Sequence, residues 1–369
     1  MHIPDGYLSP QTYAVLDAAI IPLWAVAGAK VKKTLKAKQV PLLALGAAFS
    51  FVIMMFNVPV FGGSTGHAVG ATLIAILLGP WAAAIAVSIA LVIQALVFGD
   101  GGITAIGANV LNMAIIMPFV GLAAYRLLAG RAPLTSRRRM LAAGAAGYAG
   151  INAAALAAAI EFGLQPDLFH TADGTPLYSP YHLAQTIPAM MLAHLTVAGA
   201  AEAILSAGVL AYLARADVRR LIPNHPGVPI GAGDPGPVDA PARPGRLSPG
   251  RVAAGFIALM VVLTPLGLLA PGGAFGEAAP GALNLGALGL KAVPEGLNRY
   301  NGFWSHTLLG GYGHSQGQSA TLGYWLSAVV GIAVVGLVVF ALARLVVAIS
   351  GRSGSAQHPS VAEREASHS

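Results

Sequence analysis

Long apolar stretches separated by short polar segments dominate the pattern of this chain. They are rich in Ala, Val, Leu and Ile, and strand-like alternation of apolar and polar residues is rare among them. Most approach the roughly 20 residues that a helix needs to cross about 30 Å of hydrocarbon. The pattern predicts an all-α polytopic membrane protein. The apolar stretches are 8–29, 41–57, 67–79, 81–98, 104–128, 140–163, 185–214, 251–270 and 321–349.

The spacing of these stretches predicts two helical modules. The first seven fall within 1–215 and predict a seven-helix bundle, and the last two fall within 251–349 and predict a two-helix accessory module with a large outer loop at 271–320. The segment 216–250 is rich in Pro and Gly, which is typical of a linker. We expect the tail, 350–369, to be disordered and cytoplasmic.

Composition supports membrane insertion and limits the chemistry. Hydrophobic residues make up 56% of the chain and charged residues only 9%, against about 25% charged in soluble domains. The chain has no cysteine, so disulfides and thiolate ligands are excluded and a metal site would have to use nitrogen or oxygen.

The distribution of basic residues predicts the orientation. The net charge is +7, but all of the 21 Lys and Arg residues except Lys291 and Arg299 fall within 30–40, 126–139, 215–251 and 344–364. Such clusters mark cytoplasmic loops rather than nucleic-acid surfaces. The amino terminus is therefore predicted to lie outside and the carboxyl terminus inside.

The first two residues form a candidate metal chelator. The amine of Met1, the backbone nitrogen of His2 and the near imidazole nitrogen can close two fused rings on one cation, and the turn Pro4-Asp5-Gly6 follows. The first apolar stretch lacks a basic region before it, so we expect no signal cleavage. A planar nitrogen set suits Ni(II) or Cu(II), and His67 is the first candidate for a fourth nitrogen.

Other polar residues are candidates for supporting roles. Asp5, Asn57 and Ser64 are candidates to orient the imidazoles, although each is also a common turn or cap residue. Asp100, Asn109 and Asn112, together with Gln94, border the outer ends of the fourth and fifth stretches. They would either support the metal loop or tie the helices together.

Glu161, His194 and Glu202 lie inside apolar stretches and are functional candidates by default. His194 is a candidate relay ligand during release, although an interhelical hydrogen bond is the favoured expectation. The chain has no GxxxxGK[ST] nucleotide loop, so energy for any transport would come from partners.

Several segments resemble one family. They are MHIPDGYLSP at the start, IMMFNVPVFGGSTGHAVGATL, QALVFGDGGITAIGANVLNMA, GYAGINAAALAAAIEFGLQPDLFH and PAMMLAHLTVAGAAEA. Together they resemble the substrate-capture subunits of energy-coupling-factor uptake systems for nickel and cobalt, over most of 1–215. The resemblance implies that Met1, His2 and His67 hold the metal. The opening is closer to nickel members than to cobalt members, which begin with a sequence like MHIMEG.

The second module resembles the small accessory subunit of such systems. Pro294-Glu295-Gly296-Leu297 matches that subunit's usual Pro-Asp-Gly-Leu except for one additional methylene. We therefore expect a natural fusion of capture and accessory subunits.

The resemblance implies a transporter subunit of a prokaryotic cell (inner) membrane rather than an enzyme. It would bind Ni(II) as transported substrate at the outer face, with Co(II) for cobalamin synthesis as the alternative. Its partners would be a membrane coupling subunit, ATPase subunits and the lipid bilayer, and we expect no nucleic acid. Two other classes remain: an ion-driven carrier, and an intramembrane hydrolase using His194 with Glu202 or Glu161. The hydrolase is disfavoured because HExxH and a paired aspartate set are missing.

Overall fold

A computed structural model describes residues 1–34, 39–60, 64–231, 249–270, 273–313 and 319–355. Helices dominate these ranges, and the strands among them form one small hairpin. The predicted all-α polytopic fold is confirmed. The helices are α1 (Pro10–Thr34), α2 (Val40–Met54), α3 (Ala71–Leu78), α4 (Pro80–Phe98), α5 (Ile106–Ala129), α6 (Arg137–Leu168), α7 (Leu183–Ala216), α8 (Pro249–Leu263), α9 (Glu295–Tyr300) and α10 (Ala320–Ser355).

Within the described ranges, six helices are long and apolar enough to cross a membrane. They are α1, α4, α5, α6, α7 and the part of α10 that ends at Leu345. The helix α2 and the apolar helical segment Ala254–Leu269 are shorter. Three spanning helices, α4, α5 and α7, contain a π-helical turn, a feature that is often found at functional sites.

The third predicted stretch, 67–79, differs from a spanning helix. Its helix α3 has only 8 residues, a rise of about 12 Å. Gly70 before it has φ 76° and Gly79 after it has φ 90°, so the chain turns at both ends. The preceding residues form a loop instead, and this loop carries His67.

A short hairpin supports that loop. Strand β1 (Val58–Val60) pairs antiparallel with β2 (Ser64–Gly66), and Val58 lies opposite Gly66. Because the second strand ends one residue before His67, the hairpin fixes where the histidine leaves the sheet.

Close contacts between small residues hold the centre of the bundle together. A Cβ atom at Gly150 in α6 would lie 2.7 Å from the carbonyl oxygen of Met117 in α5, and one at Gly121 in α5 would lie 2.6 Å from the side chain of Thr72 in α3. Such contacts let helix backbones approach closely, which is a common basis of packing in membranes.

The start of the predicted linker packs against the bundle. Leu221 is fully buried, and the His225 ring nitrogen Nε2 lies 3.0 Å from the Tyr125 hydroxyl in α5. The backbone of Leu134 donates to Pro229. Residues 232–248 of this segment and the tail from 356 onward lie outside the described residues, and the proposed domain limits stay predictions.

The accessory segment 273–313 lies against the start of the chain. A Cβ atom at Gly6, whose φ is 89°, would lie 2.8 Å from the carbonyl oxygen of Leu297. Gly296 donates its backbone N–H to Leu177 over 2.7 Å, and the Trp304 indole donates to Leu96 over 2.8 Å. The Pro-Glu-Gly-Leu element therefore contacts the Pro-Asp-Gly turn directly.

The substitution Gly150→Ala tests the central packing. The added methyl group would meet the Met117 carbonyl, so we expect the free energy of unfolding to fall by about 1–3 kcal/mol. Gly208→Ala in α7 is the matched control, because its Cβ would have open space around it. Thermal unfolding in detergent measures both, and equal melting temperatures of the two variants would contradict this packing.

Candidate metal centre

The first residues of the chain form a buried arm at one end of the bundle. Met1 and His2 are each 2% exposed. Asn109 in α5 accepts a hydrogen bond from the Ile3 N–H over 2.8 Å and donates to the Ile3 carbonyl over 3.1 Å. Gly102 also donates to that carbonyl, over 2.8 Å. These bonds fix the backbone immediately after His2.

Two carboxylates contact nitrogen atoms of the arm. The Met1 ammonium donates to Glu277 Oε1 in the accessory segment over 3.0 Å. His2 Nδ1 lies 3.4 Å from Asp100 Oδ1, in the loop after α4. Both carboxylate side chains are about one-fifth exposed, at 23% and 20%, whereas the nitrogens they contact are almost fully buried. The carboxylates therefore lie between the nitrogens and the solvent.

His67 lies next to His2 inside the protein. The two imidazole rings have centroids 5.0 Å apart, with an angle of 31° between their planes. The loop that follows His67 is held by Glu202 in α7, whose Oε2 accepts from the N–H groups of Val69 and Gly70 over 2.9 and 3.0 Å. This explains a buried carboxylate that the sequence singled out.

Three buried imidazoles each have a ring nitrogen without a hydrogen-bond partner. His67 Nδ1 lies 3.1 Å from the carbonyl oxygen of Ala68, so Nδ1 carries the proton and Nε2 is an acceptor. The Nε2 atoms of His2, His67 and His194 are all buried without a hydrogen-bond partner. Burial, followed by the charges of the amino terminus and of His2, holds the pKa of His67 well below its usual range. His67 is therefore a neutral ligand near pH 7.

The arrangement offers nitrogen donors from both the main chain and side chains. Among the described residues, no three His, Cys, Asp or Glu side chains come together as a metal-holding group. The amine of Met1, the amide nitrogen of His2 and the rings of His2 and His67 form a different kind of donor set. It has the composition that a square-planar cation requires.

The candidate supporting residues make different kinds of contact. Asp100 contacts the His2 ring. Asp5 Oδ1 accepts hydrogen bonds from the N–H and the hydroxyl of Thr104, and so ties the arm to the loop before α5. Ser64 Oγ accepts from the Phe275 N–H. The backbone at Asn57 lies beside Gly267, after α8.

The amides at the helix ends also divide into two groups. Asn109 holds the arm as described, whereas the Asn112 side chain donates to Glu161 over 2.7 Å and joins α5 to α6. Gln94 donates to the hydroxyl of Tyr312 over 3.0 Å, and that hydroxyl donates to Asp100. Asn112 therefore has the helix-tying role, and Gln94 belongs to the surroundings of His2.

Sequence reasoning missed two residues of the accessory segment, Glu277 and Tyr312. Glu277 contacts the amine 276 positions earlier, and the Tyr312 ring stacks on Phe98 with centroids 5.3 Å apart. The available signal was weak: Glu277 is one of only two acidic residues in 271–320. Tyr312 adopts φ 60°, an uncommon conformation for a non-glycine residue.

The remaining outer-loop histidines lie apart from this cluster. His182 pairs with Asp167 over 2.9 Å, with both side chains half exposed, and the exposed His170 contacts the carbonyl oxygen of Thr171. The His306 ring lies against Trp304. His314 lies outside the described residues.

A multi-pass helical bundle that buries its own amino terminus beside two imidazoles defines a class of membrane protein able to hold a transition metal through nitrogen. A family model described as "Cobalt uptake substrate-specific transmembrane region" matches residues 2–220. The chain belongs to this family.

Relatives extend the match beyond the bundle. The "Fused nickel transport protein NikMN" of Rhodobacter capsulatus is 51% identical over 347 residues, which is 91% of this chain and 95% of that protein. The "Probable fused nickel transport protein LarMN" of Lactiplantibacillus plantarum is 45% identical over 90% of this chain and 94% of its own length. The expected fusion of two modules is therefore confirmed.

A solved structure resembles the first module. The crystal structure of a truncated transition metal transporter has a TM-score of 0.55 and 60% identity, and covers 58% of this chain and 99% of its own. The first module therefore corresponds to nearly the whole of that solved chain.

The contact between the amine and Glu277 predicts a difference in chemical reactivity. Glu277→Ala would remove the partner of a buried ammonium, so we expect an amine-acylating reagent to label Met1 several-fold faster in the metal-free protein. Mass spectrometry of the amino-terminal peptide measures the rate. The control is Glu295→Ala, since Glu295 is an exposed carboxylate of the same segment. Equal labelling of the Glu277 variant and the parent chain would contradict the pairing.

Proposed function

We propose that this protein is the substrate-specific membrane component of an ATP-driven uptake system of the energy-coupling-factor type, and that it captures Ni(II) at the outer face and delivers it to the cytoplasm. The observation that carries the proposal is the buried amino terminus, with the rings of His2 and His67 5.0 Å apart. Family membership and the transport relatives support it.

The proposed capture site uses four nitrogen atoms. The amine of Met1, the amide of His2 and His2 Nδ1 close two chelate rings, and His67 Nε2 completes the plane. Two of these nitrogens contact Glu277 and Asp100 in the present structure, so the arriving cation replaces those contacts. Binding also displaces one proton from the Met1 ammonium and one from the His2 amide, and both protons pass to solvent, directly or through Glu277. The two carboxylates stay nearby, and their negative charge favours a divalent cation at the rim.

The donor set also governs selectivity. Magnesium and calcium prefer oxygen ligands, whereas Ni(II) gains strongly from planar nitrogen donation. Co(II) is the alternative substrate, because imidazole suits it as well and the family model is described by cobalt uptake. The fused nickel transport relatives favour nickel.

Transport, rather than catalysis, is the function that the homologues indicate. The hydrolase alternative required Glu202 or Glu161 as an active carboxylate. Glu202 instead accepts two backbone N–H groups and Glu161 accepts from Asn112, so both have structural partners.

We further propose that separate ATPase subunits and a membrane coupling subunit drive delivery. No nucleotide-binding loop occurs in the sequence, which supports an external energy source. The distribution of Lys and Arg supports an outer amino terminus in a prokaryotic cell membrane. In this orientation the capture site opens to the side from which the cation arrives.

The accessory module, 251–349, is proposed to control access to the site. Its segment 273–313 places Glu277 on the Met1 amine and the Tyr312 hydroxyl on Asp100. The module therefore contacts the Met1 amine directly through Glu277. It reaches His2 Nδ1 indirectly, because Tyr312 contacts Asp100 and Asp100 contacts that nitrogen. Movement of this segment would uncover the chelating atoms.

An extension of the amino terminus tests the capture site. The purified chain with its native amino terminus is expected to bind Ni(II) near one to one, with a diamagnetic square-planar spectrum. Adding Ala-Pro before Met1 moves the amine away from His2, and the proline nitrogen, which carries no N–H, cannot join that amine in a new chelate, so affinity should fall by more than the roughly 10–100-fold that loss of a supporting contact causes. Titration calorimetry measures both forms.

The control for this titration is His170→Ala, an exposed histidine of the outer loop, which should bind as the parent does. Equal affinity of the native and extended forms would refute the amino-terminal site. A tighter complex with Co(II) than with Ni(II) would keep the site and change its substrate.

Removal of the accessory module tests its role. A chain ending at residue 231 retains the whole match to the family model, which ends at residue 220, so we expect nickel binding to persist. We expect uptake of radioactive nickel by cells to fall at least about tenfold, because nothing then controls access to the site. A chain lacking only 356–369 is the control. Unchanged uptake by the chain that ends at residue 231 would dismiss the proposed role.

A further inference from the structure

His194 has the local geometry of a metal ligand without belonging to the capture chelate. It is 2% exposed, and its Nδ1 lies 2.7 Å from the carbonyl oxygen of Met190, one turn earlier in α7. Nδ1 therefore donates and Nε2 keeps a lone pair. Histidines that bind metals usually donate their other ring nitrogen in this way.

The free nitrogen of His194 is not explained by packing. The sequence favoured a hydrogen bond between helices, but Nδ1 bonds within α7 and the buried Nε2 has no partner. Leaving a buried acceptor unpaired costs about 1–3 kcal/mol. Unsatisfied groups of this kind are uncommon and often mark a function.

His194 lies close to the capture site. Gly66, the residue before His67, contacts the wall of α7 on both sides of His194: a Cβ atom there would lie 3.2 Å from that of Ala198 and 3.9 Å from that of Ala193. A π-helical turn begins at His194, and such turns occur frequently at functional sites.

His194 lies eleven residues into α7, about 16 Å from Leu183 at the start of the helix at 1.5 Å per residue. Beyond it on α7, Glu202 Oε1 and Ser206 Oγ are also buried and unpartnered. Unsatisfied polar atoms thus continue along this helix away from the outer surface.

We propose that His194 is a second contact for the cation, taking Ni(II) from the amino-terminal chelate through Nε2 while His67 remains bound. The inference rests on the proposed function. A pair of imidazoles holds the cation more weakly than four nitrogens, and a transit site must release what it binds. Imidazole donors also keep the preference against magnesium and calcium during transfer.

His194→Asn isolates this role. The asparagine amide can still donate near the position of Nδ1, but nothing replaces Nε2. The matched control is His225→Asn, because His225 is also buried and its Nδ1 also contacts a carbonyl one turn earlier, whereas its Nε2 is paired with Tyr125. Both variants are made in the full chain with its native amino terminus.

We expect His194→Asn to lower nickel uptake without lowering Ni(II) affinity. Ni(II) affinity of His194→Asn should stay within about twofold of the parent, whereas nickel uptake by cells carrying the complete system should fall at least tenfold. His225→Asn should change neither. If His194→Asn no longer binds Ni(II) near one to one, His194 is a ligand of the capture site. If nickel uptake is unchanged, His194 is not needed for transport. Either result overturns the proposal.

A direct readout covers the case in which His194→Asn folds poorly. In the chain extended by Ala-Pro before Met1, residual weak Co(II) binding is expected, and the visible absorption of the bound ion measures it. Adding either His194→Asn or His194→Gln should abolish it. Residual binding that persists in both combinations refutes the contact, and a parent chain that binds neither metal refutes the capture site itself.

Discussion

The ion pair between the Met1 ammonium and Glu277 is the contact on which the arrangement of the amino-terminal arm depends. It joins the first residue of the first module to the accessory segment over 3.0 Å. Breaking such a pair leaves a buried charge uncompensated, which is strongly unfavourable. The ammonium therefore stays inside the protein only while an anionic partner is present, and Glu277 is that partner.

Around this contact, main-chain bonds determine where the chelating atoms lie. Asn109 and Gly102 hold Ile3, and Glu202 holds the backbone after His67. Amine and amide nitrogens are main-chain atoms, so the position of the backbone alone sets where they lie. This explains why buried carboxamide and carboxylate groups from α5 and α7 are placed on the loops rather than on the metal.

The fusion of the two modules has a structural consequence. Segment 273–313 contacts the arm through Leu297 at Gly6 and contacts Asp100 through Tyr312. The segment therefore contacts one nitrogen of the arm directly and a second one through Asp100. Because both modules belong to one chain, these contacts do not depend on the assembly of a separate small subunit.

The sequence by itself determined the helical membrane fold and the exclusion of thiolate ligands, because these follow from composition and from apolar length, and it predicted a chelate of Met1 with His2 from residues adjacent in the chain. Tertiary structure decided what long-range packing controls. The short α3 follows from turns at Gly70 and Gly79, and the contact between Met1 and Glu277 joins residues that are separated by 276 positions. No local pattern encodes such distances, so only the packed helices could bury a free imidazole nitrogen of α7 near the loop that carries His67.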